Sequence, residues 1–221
     1  MPHAVRILSV DPVTHNVRRF TCEKPQGFSF EPGQATEVSL DQDGWRDEKR
    51  PFTFTSLPDD ENLEFTIKIY PDHDGLTEQL GVVREGARLL IDDPWGTITY
   101  KGPGVFIAGG AGVTPFIAIL RDLRRRGALD GHMLIFSNKT ERDIILRDEF
   151  EAMSGLRSVF TLTGENVEGL DYGKIDRTLI TRHVKDFDQH FYVCGPDKMI
   201  SDIKALLADL GADADGVVFE K

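Results

Sequence analysis

The chain has 221 residues, with 37 acidic against 26 basic and a net charge of −11 at neutral pH. That balance weighs against a nucleic-acid binder, whose electrostatic footprint is basic. With only Cys22 and Cys194, far apart in sequence, neither a disulfide framework nor a C-x-x-C metal site is indicated. No window holds the roughly 20 apolar residues of a membrane span, so the sequence reads as a cytoplasmic protein.

Up to about residue 100 the pattern is short strands separated by turns. Strands are predicted at 4–11, 17–24, 35–40, 50–56, 63–70 and 87–93, several with apolar/polar alternation. Glu31-Pro32-Gly33-Gln34 and the run 57–62 are turn signals. A helix interrupts the strands after Asp74-Gly75-Leu76-Thr77. Closely spaced strands of this kind predict a small antiparallel barrel.

After residue 100 the rhythm changes to strand–helix alternation. Strands are predicted at 104–110, 132–138, 157–164, 190–196 and 216–221. Helices are predicted at 114–127, with Gly127 as C-cap, and at 141–153 and 197–211. The alternation predicts a doubly wound parallel sheet. The boundary falls within 94–104, which gives two domains, 1–99 and 100–221.

Three glycine- and proline-marked segments carry the chemistry. In Arg50-Pro51-Phe52-Thr53, the arginine fork matches the paired oxygens of a diphosphate, and the Phe52 ring offers a flat face to an isoalloxazine. The same segment is also readable as an edge strand with an ion-paired arginine. Gly109, Gly110 and Gly112, followed by Val113, Thr114 and Pro115, form a strand-to-helix turn suited to a pyrophosphate, or merely a connection. The spacing is not G-x-G-x-x-G. Cys194, before Gly195 and Pro196, is either a small buried hydrophobe or a sulfur beside a nicotinamide ring. Arg121, Arg124, Arg125 and Arg126 read as a solvated helix face, or as a basic patch for a partner.

In this order, the segments resemble the ferredoxin–NADP reductase superfamily over almost the whole chain. Lys68-Ile69-Tyr70 followed by Gly75-Leu76-Thr77 resembles its second flavin segment. The resemblance implies that Arg50, Gly75, Leu76 and Thr77 bind the flavin diphosphate, that Phe52 lies against the flavin and that Thr53 hydrogen-bonds near N5. It implies that residues 109–115, with Cys194, Gly195, Pro196, Asp197 and Met199, bind a dinucleotide, and that Glu220 lies near the nicotinamide. Thr53, Cys194 and Glu220 are the catalytic candidates, and no metal is expected. Phe52 stands where the family usually has tyrosine, the terminal aromatic of plant-type members is absent, and there is no cysteine cluster for an iron–sulfur centre.

The resemblance implies FAD rather than FMN, with NADH or NADPH as donor. The resemblance implies that residues after the second and third strands of the second half meet the 2′ position, where Glu165 would repel a 2′-phosphate and favour NADH, whereas Lys139, after Asn138, would suit NADPH. The implied activity is an NAD(P)H-dependent reductase that passes electrons to a ferredoxin, flavodoxin, cytochrome or oxygenase component. Alternatives are a reductase subunit active only within a larger complex, and a nucleotide-binding regulatory protein without turnover.

Overall fold

Six strands form the first sheet: β1 (His3–Thr14), β2 (Val17–Glu23), β3 (Ala35–Leu40), β4 (Arg50–Thr53), β5 (Asn62–Lys68) and β6 (Arg88–Ile91). All neighbouring pairs are antiparallel, in the order β4-β3-β6-β1-β2-β5. A computed structural model describes residues 2–96, 98–213 and 216–219, the last of these by its backbone. Contacts divide the chain into one unit of residues 1–96 with 114–122 and another of 97–113 with 123–221.

Alternation dictates the first core. Val5 and Ile7, Phe20 and Cys22, Leu63, Phe65 and Ile67, and Leu89 and Ile91 all point inward from their strands. Helix α1 (Leu76–Val82) adds Leu76 and Leu80 to the same core. Phe54, just beyond β4, bridges to Phe65 of β5, and the Thr55 N–H donates to the Glu64 carbonyl at 2.8 Å. These bonds join the two ends of the strand order and close the barrel. Phe30 stacks on Phe54 at 4.3 Å, and burying each such ring contributes roughly 1.5–3 kcal/mol.

The second sheet is parallel, in the order β10-β9-β8-β7-β11-β12. Its strands are β7 (Gly104–Gly109), β8 (His132–Asn138), β9 (Leu156–Leu162), β10 (Asp171–Tyr172), β11 (His190–Cys194) and β12 (Val217–Phe219). Helices α2 (Thr114–Arg125), α3 (Arg147–Glu151), α4 (Arg177–His183) and α5 (Asp197–Asp209) alternate with them. Val105, Ile107, Ile135 and Val193 pack on Leu179 and Ile180 of α4 and on Ile203 and Leu207 of α5.

The predicted helix over 141–153 is not continuous. It divides into a single 3-10 turn, Glu141–Asp143, and the short α3, because Leu146 takes a left-handed conformation (φ 53°) and Ile144 and Ile145 are buried. β10 and α4 were not predicted. In α4 only Leu179 and Ile180 are buried, too few to show a helical period. Its start does carry a local signal, since the Asp176 carboxylate accepts from the Leu179 N–H at 2.8 Å.

On the other face of the parallel sheet, Phe106 stacks on Tyr192 at 4.5 Å. The Tyr192 hydroxyl accepts from the N–H groups of Lys101 and Gly102 and donates to the Gly102 carbonyl. His132 is buried beside them. Its Nδ1 meets the Leu129 carbonyl at 3.0 Å, and its Nε2 lies 2.9 Å from the Tyr100 hydroxyl. A carbonyl only accepts, so Nδ1 carries the proton and Nε2 accepts from Tyr100.

Burial lowers the His132 pKa below its ordinary value, against smaller opposing contributions from the Leu129 and Asp130 backbone. The folded chain therefore binds fewer protons here than the unfolded chain. The associated stability is present above about pH 6.5, the unfolded value, and is lost as pH falls through the folded value. Urea denaturation should show a lower midpoint at pH 5 than at pH 7.5. His132→Gln, which does not titrate, should show a smaller drop; an equal drop would assign the effect to other groups.

Candidate functional site

In the first unit, a cavity of about 270 Å³ is lined by Arg50, Tyr70, His73, Gly75, Leu76 and Thr77. Arg50 opens β4, and its guanidinium is exposed. One nitrogen donates to the Lys49 carbonyl at 2.7 Å, and another lies 3.9 Å from the Glu48 carboxylate. Pro51 is exposed opposite Glu37, Phe52 packs partly on the barrel core, and Thr53 is buried opposite Ala35. Lys68 ends β5 with its ammonium 5.6 Å over the Tyr70 ring, while Ile69 turns into the core.

The second segment is shaped by its backbone. Asp74 is left-handed at φ 45°, and its N–H donates to the Glu78 carboxylate at 2.9 Å. Gly75 then stands at the N-cap of α1, where no side chain caps the first turn. An uncapped helix start beside a guanidinium fits a diphosphate. His73 was missing from the sequence-derived set. It reaches the cavity because its ring packs edge-on to Tyr70 at 5.4 Å. No motif marks it, and only the loop conformation brings it there.

In the second unit, the two glycine-marked turns lie at the carboxyl ends of neighbouring strands, with Cys194 of β11 paired to Ala108 of β7. A Cβ on Gly112 would come within 2.5 Å of the Cys194 carbonyl oxygen and 2.6 Å of the Gly195 Cα. One on Gly109 would lie 2.5 Å from the Met199 sulfur, and one on Gly195 would lie 3.2 Å from the Gly109 nitrogen. Backbone therefore packs on backbone, with Met199 against both glycines. Gly110 takes φ 54° in the turn, Val113 is buried, and Thr114 and Pro115 open α2. Pro196 is the N-cap of α5 and Asp197 its first residue.

Cys194 is buried at 3% exposure, and neither cysteine forms a disulfide. Burial pushes the Cys22 thiol up to about 12, which leaves it inert at neutral pH.

At the carboxyl ends of β8 and β9, the Thr163 and Gly164 N–H groups donate to the carbonyls of Asn138 and Lys139. The Asn138 side chain is 5% exposed, and neither carboxamide atom has a partner. Lys139 is exposed. The Glu165 carboxylate accepts from the Glu141 N–H at 2.5 Å, and Glu141 pairs with Arg147. Asn138, Lys139 and Glu165 thus share the sheet edge that carries the glycine turns.

Glu220 lies outside the described residues. Among the described residues no cluster of His, Cys, Asp and Glu could hold a metal. No helix among them is long and apolar enough to cross a membrane. The arginine group divides: Arg124, Arg125 and Arg126 are exposed, whereas Arg121 is 18% exposed and paired with Glu64.

Residues 3–99 match the family model of an FAD-binding domain, and residues 106–205 that of an oxidoreductase NAD-binding domain. Ferredoxin–NADP reductase B of Sorangium cellulosum is 30% identical over 93% of this chain and 91% of its own length. The chain belongs to the ferredoxin–NADP reductase family. It is an oxidoreductase of the type with an FAD-binding and an NAD(P)-binding domain.

Another relative of this reductase, NADH-cytochrome b5 reductase 2 of Mycosarcoma maydis, is 28% identical over 94% of the chain and 69% of its own length. Some relatives are longer still, and the chain spans 64% of two naphthalene dioxygenase-system reductase components. The fold matches a ferredoxin NADP+ reductase from Neisseria gonorrhoeae with bound FAD and NADP, at TM-score 0.88 and 22% identity, over 99% of this chain and 98% of that one.

The contact at Gly112 gives a direct test. Gly112→Ala should lower stability by about 2–3 kcal/mol, because the methyl group meets fixed backbone. Gly110→Ala meets no atom within 4 Å and should cost about 1 kcal/mol from its positive φ alone. Urea denaturation of both variants distinguishes the two causes, and equal losses would show that the close approach relaxes freely.

Proposed function

We propose that the chain is an NADH-preferring, FAD-dependent reductase that delivers electrons to a protein acceptor in the cytoplasm. Residues 1–99 form the flavin domain and 100–221 the nucleotide domain. The observation that carries the reading is the packing of the Gly109–Gly112 turn against Cys194-Gly195, which sets the two glycine-marked turns side by side at the carboxyl edge of the parallel sheet.

FAD, when bound, would supply the redox chemistry that links NAD(P)H to the acceptor. The chain's own residues bind and orient. Arg50 and the first turn of α1 hold the diphosphate, with Gly75, Leu76 and Thr77 at the contact. Lys68, Ile69 and Tyr70 shape the approach, Pro51 and Phe52 border the ring system, and Thr53 offers a hydrogen bond near N5. The glycine turn, Val113 to Pro115, and Cys194 to Asp197 with Met199 would hold the dinucleotide, with Cys194 beside the nicotinamide, and Glu220 is the remaining catalytic candidate.

NADH preference rests on Glu165. Its carboxylate accepts from the Glu141 N–H, which holds a negative charge at this edge and disfavours a 2′-phosphate. The unpartnered Asn138 carboxamide suits a ligand that both donates and accepts, such as a ribose hydroxyl, which both nucleotides carry. Lys139 is the opposing feature.

The acceptor is a ferredoxin, flavodoxin, cytochrome or oxygenase component. Relatives named for cytochrome b5 and for dioxygenase systems support this class. The greater length of several relatives supports a second reading, in which the chain works as a reductase subunit of a larger complex.

Anaerobic titration of the FAD-loaded protein should bleach the flavin absorbance with NADH at lower concentration than with NADPH; failure to take up FAD would sink the proposal. Arg50→Ala should lower flavin retention on gel filtration at least tenfold, and unchanged flavin content would remove Arg50 from the site. Glu165→Arg should shift the NADH/NADPH ratio of kcat/KM toward NADPH by tenfold or more. An unchanged ratio would place discrimination elsewhere.

A further inference from the structure

Four arginines lie close together at the end of α2, and one of them is unlike the rest. Arg121 is 18% exposed, and its partner Glu64, on β5, is equally buried. One guanidinium nitrogen donates to the Thr55 carbonyl at 2.7 Å and to the Glu64 carboxylate at 2.6 Å. The same Glu64 oxygen accepts from the Thr55 hydroxyl at 2.8 Å, and that hydroxyl lies 3.1 Å from the Thr66 hydroxyl. The Glu64 N–H donates to Ser56 at 2.9 Å. Residues 114–122 group with the first unit, in keeping with these bonds.

The position of both ends of this network in the chain gives it meaning. Thr55 follows Thr53 by two residues, so the carbonyl held by Arg121 belongs to the continuation of Arg50-Pro51-Phe52-Thr53. Arg121 lies seven residues, about two helical turns, after Thr114, where α2 emerges from the glycine turn. A single guanidinium therefore joins the flavin segment to the helix that continues the nucleotide turn. Apolar residues of similar volume would hold a helix as firmly as a buried ion pair does. A guanidinium with two fixed acceptors adds direction, which apolar packing lacks.

We infer that Arg121 is a positioning residue: within the first unit it fixes α2, from Thr114 onward, against the Thr55 and Glu64 segments, and the rate of flavin reduction depends on that tie. The inference rests on the reductase reading above. A small displacement of a bound reactant costs a large factor in rate without a matching loss of binding.

The test uses the FAD-loaded full chain and Arg121→Met, which keeps most of the side-chain volume and removes all donors. Stopped-flow reduction at saturating NADH should slow at least tenfold, with flavin content and the apparent Kd for NADH within twofold of the unmodified protein. Amide hydrogen exchange over residues 114–121 should be faster in the variant. A limiting rate within twofold of the unmodified protein, or unchanged exchange, overturns the inference. If Arg121→Met does not accumulate as folded flavoprotein, Arg121→Lys carries the test. It keeps the charge but replaces the fork with a single ammonium, and the rate should fall threefold or more; an unchanged rate there also overturns the inference. If the unmodified protein binds FAD but neither nucleotide reduces it, the reductase reading fails, and hydrogen exchange alone then decides whether Arg121 holds α2.

Discussion

Between the turn after β7 and the turn after β11 there is no room for a Cβ. Gly112 meets the backbone of Cys194 and Gly195, and Gly109 meets Met199 and Pro196. The two strands are adjacent in the parallel sheet, and their following turns approach backbone to backbone at Gly112. Backbone N–H groups and helix starts are the means by which a protein holds a pyrophosphate without a basic side chain. Gly109 and Gly112 are therefore required by space and Gly110 by its positive φ, and Cys194 is placed by the Gly112 contact.

The first unit solves a different problem. A six-stranded antiparallel sheet has two edges, and here Phe54 and Thr55 close one onto the other through Phe65 and Glu64. The closure also determines where the Arg50–Thr53 segment ends, because β4 becomes the bridge to β5 within two residues of Thr53. Glu64 takes part twice, with its backbone in the closure and its carboxylate in the Arg121 network. Barrel closure and placement of α2 thus share one residue.

Polar groups at the nucleotide edge are unevenly satisfied. Glu165 is committed to a backbone N–H, whereas Asn138 is buried with neither carboxamide atom partnered. A buried amide left unpaired costs about 1–3 kcal/mol, and a ligand that satisfies it recovers that cost on binding. An open demand of this kind tends to persist at functional sites, where stability is exchanged for recognition.

By itself the sequence determined the two-part architecture, the order of the motifs and nearly every strand, because alternation and apolar runs are local signals that burial on one or both faces imposes directly. It also determined the family, since Arg50-Pro51-Phe52-Thr53, the 109–115 turn and Cys194-Gly195-Pro196 are contiguous. It did not show the break at Leu146, a left-handed backbone that no glycine announces, or α4, whose two buried residues are too few to make a period. His73 joined the cavity beside Arg50 only through the loop that carries it. Arg121 looked in sequence like its three exposed neighbours, and only its burial against Glu64 and Thr55 set it apart. Local pattern records which face of an element is buried; which distant groups meet across that face is decided by packing, and that belongs to the tertiary structure alone.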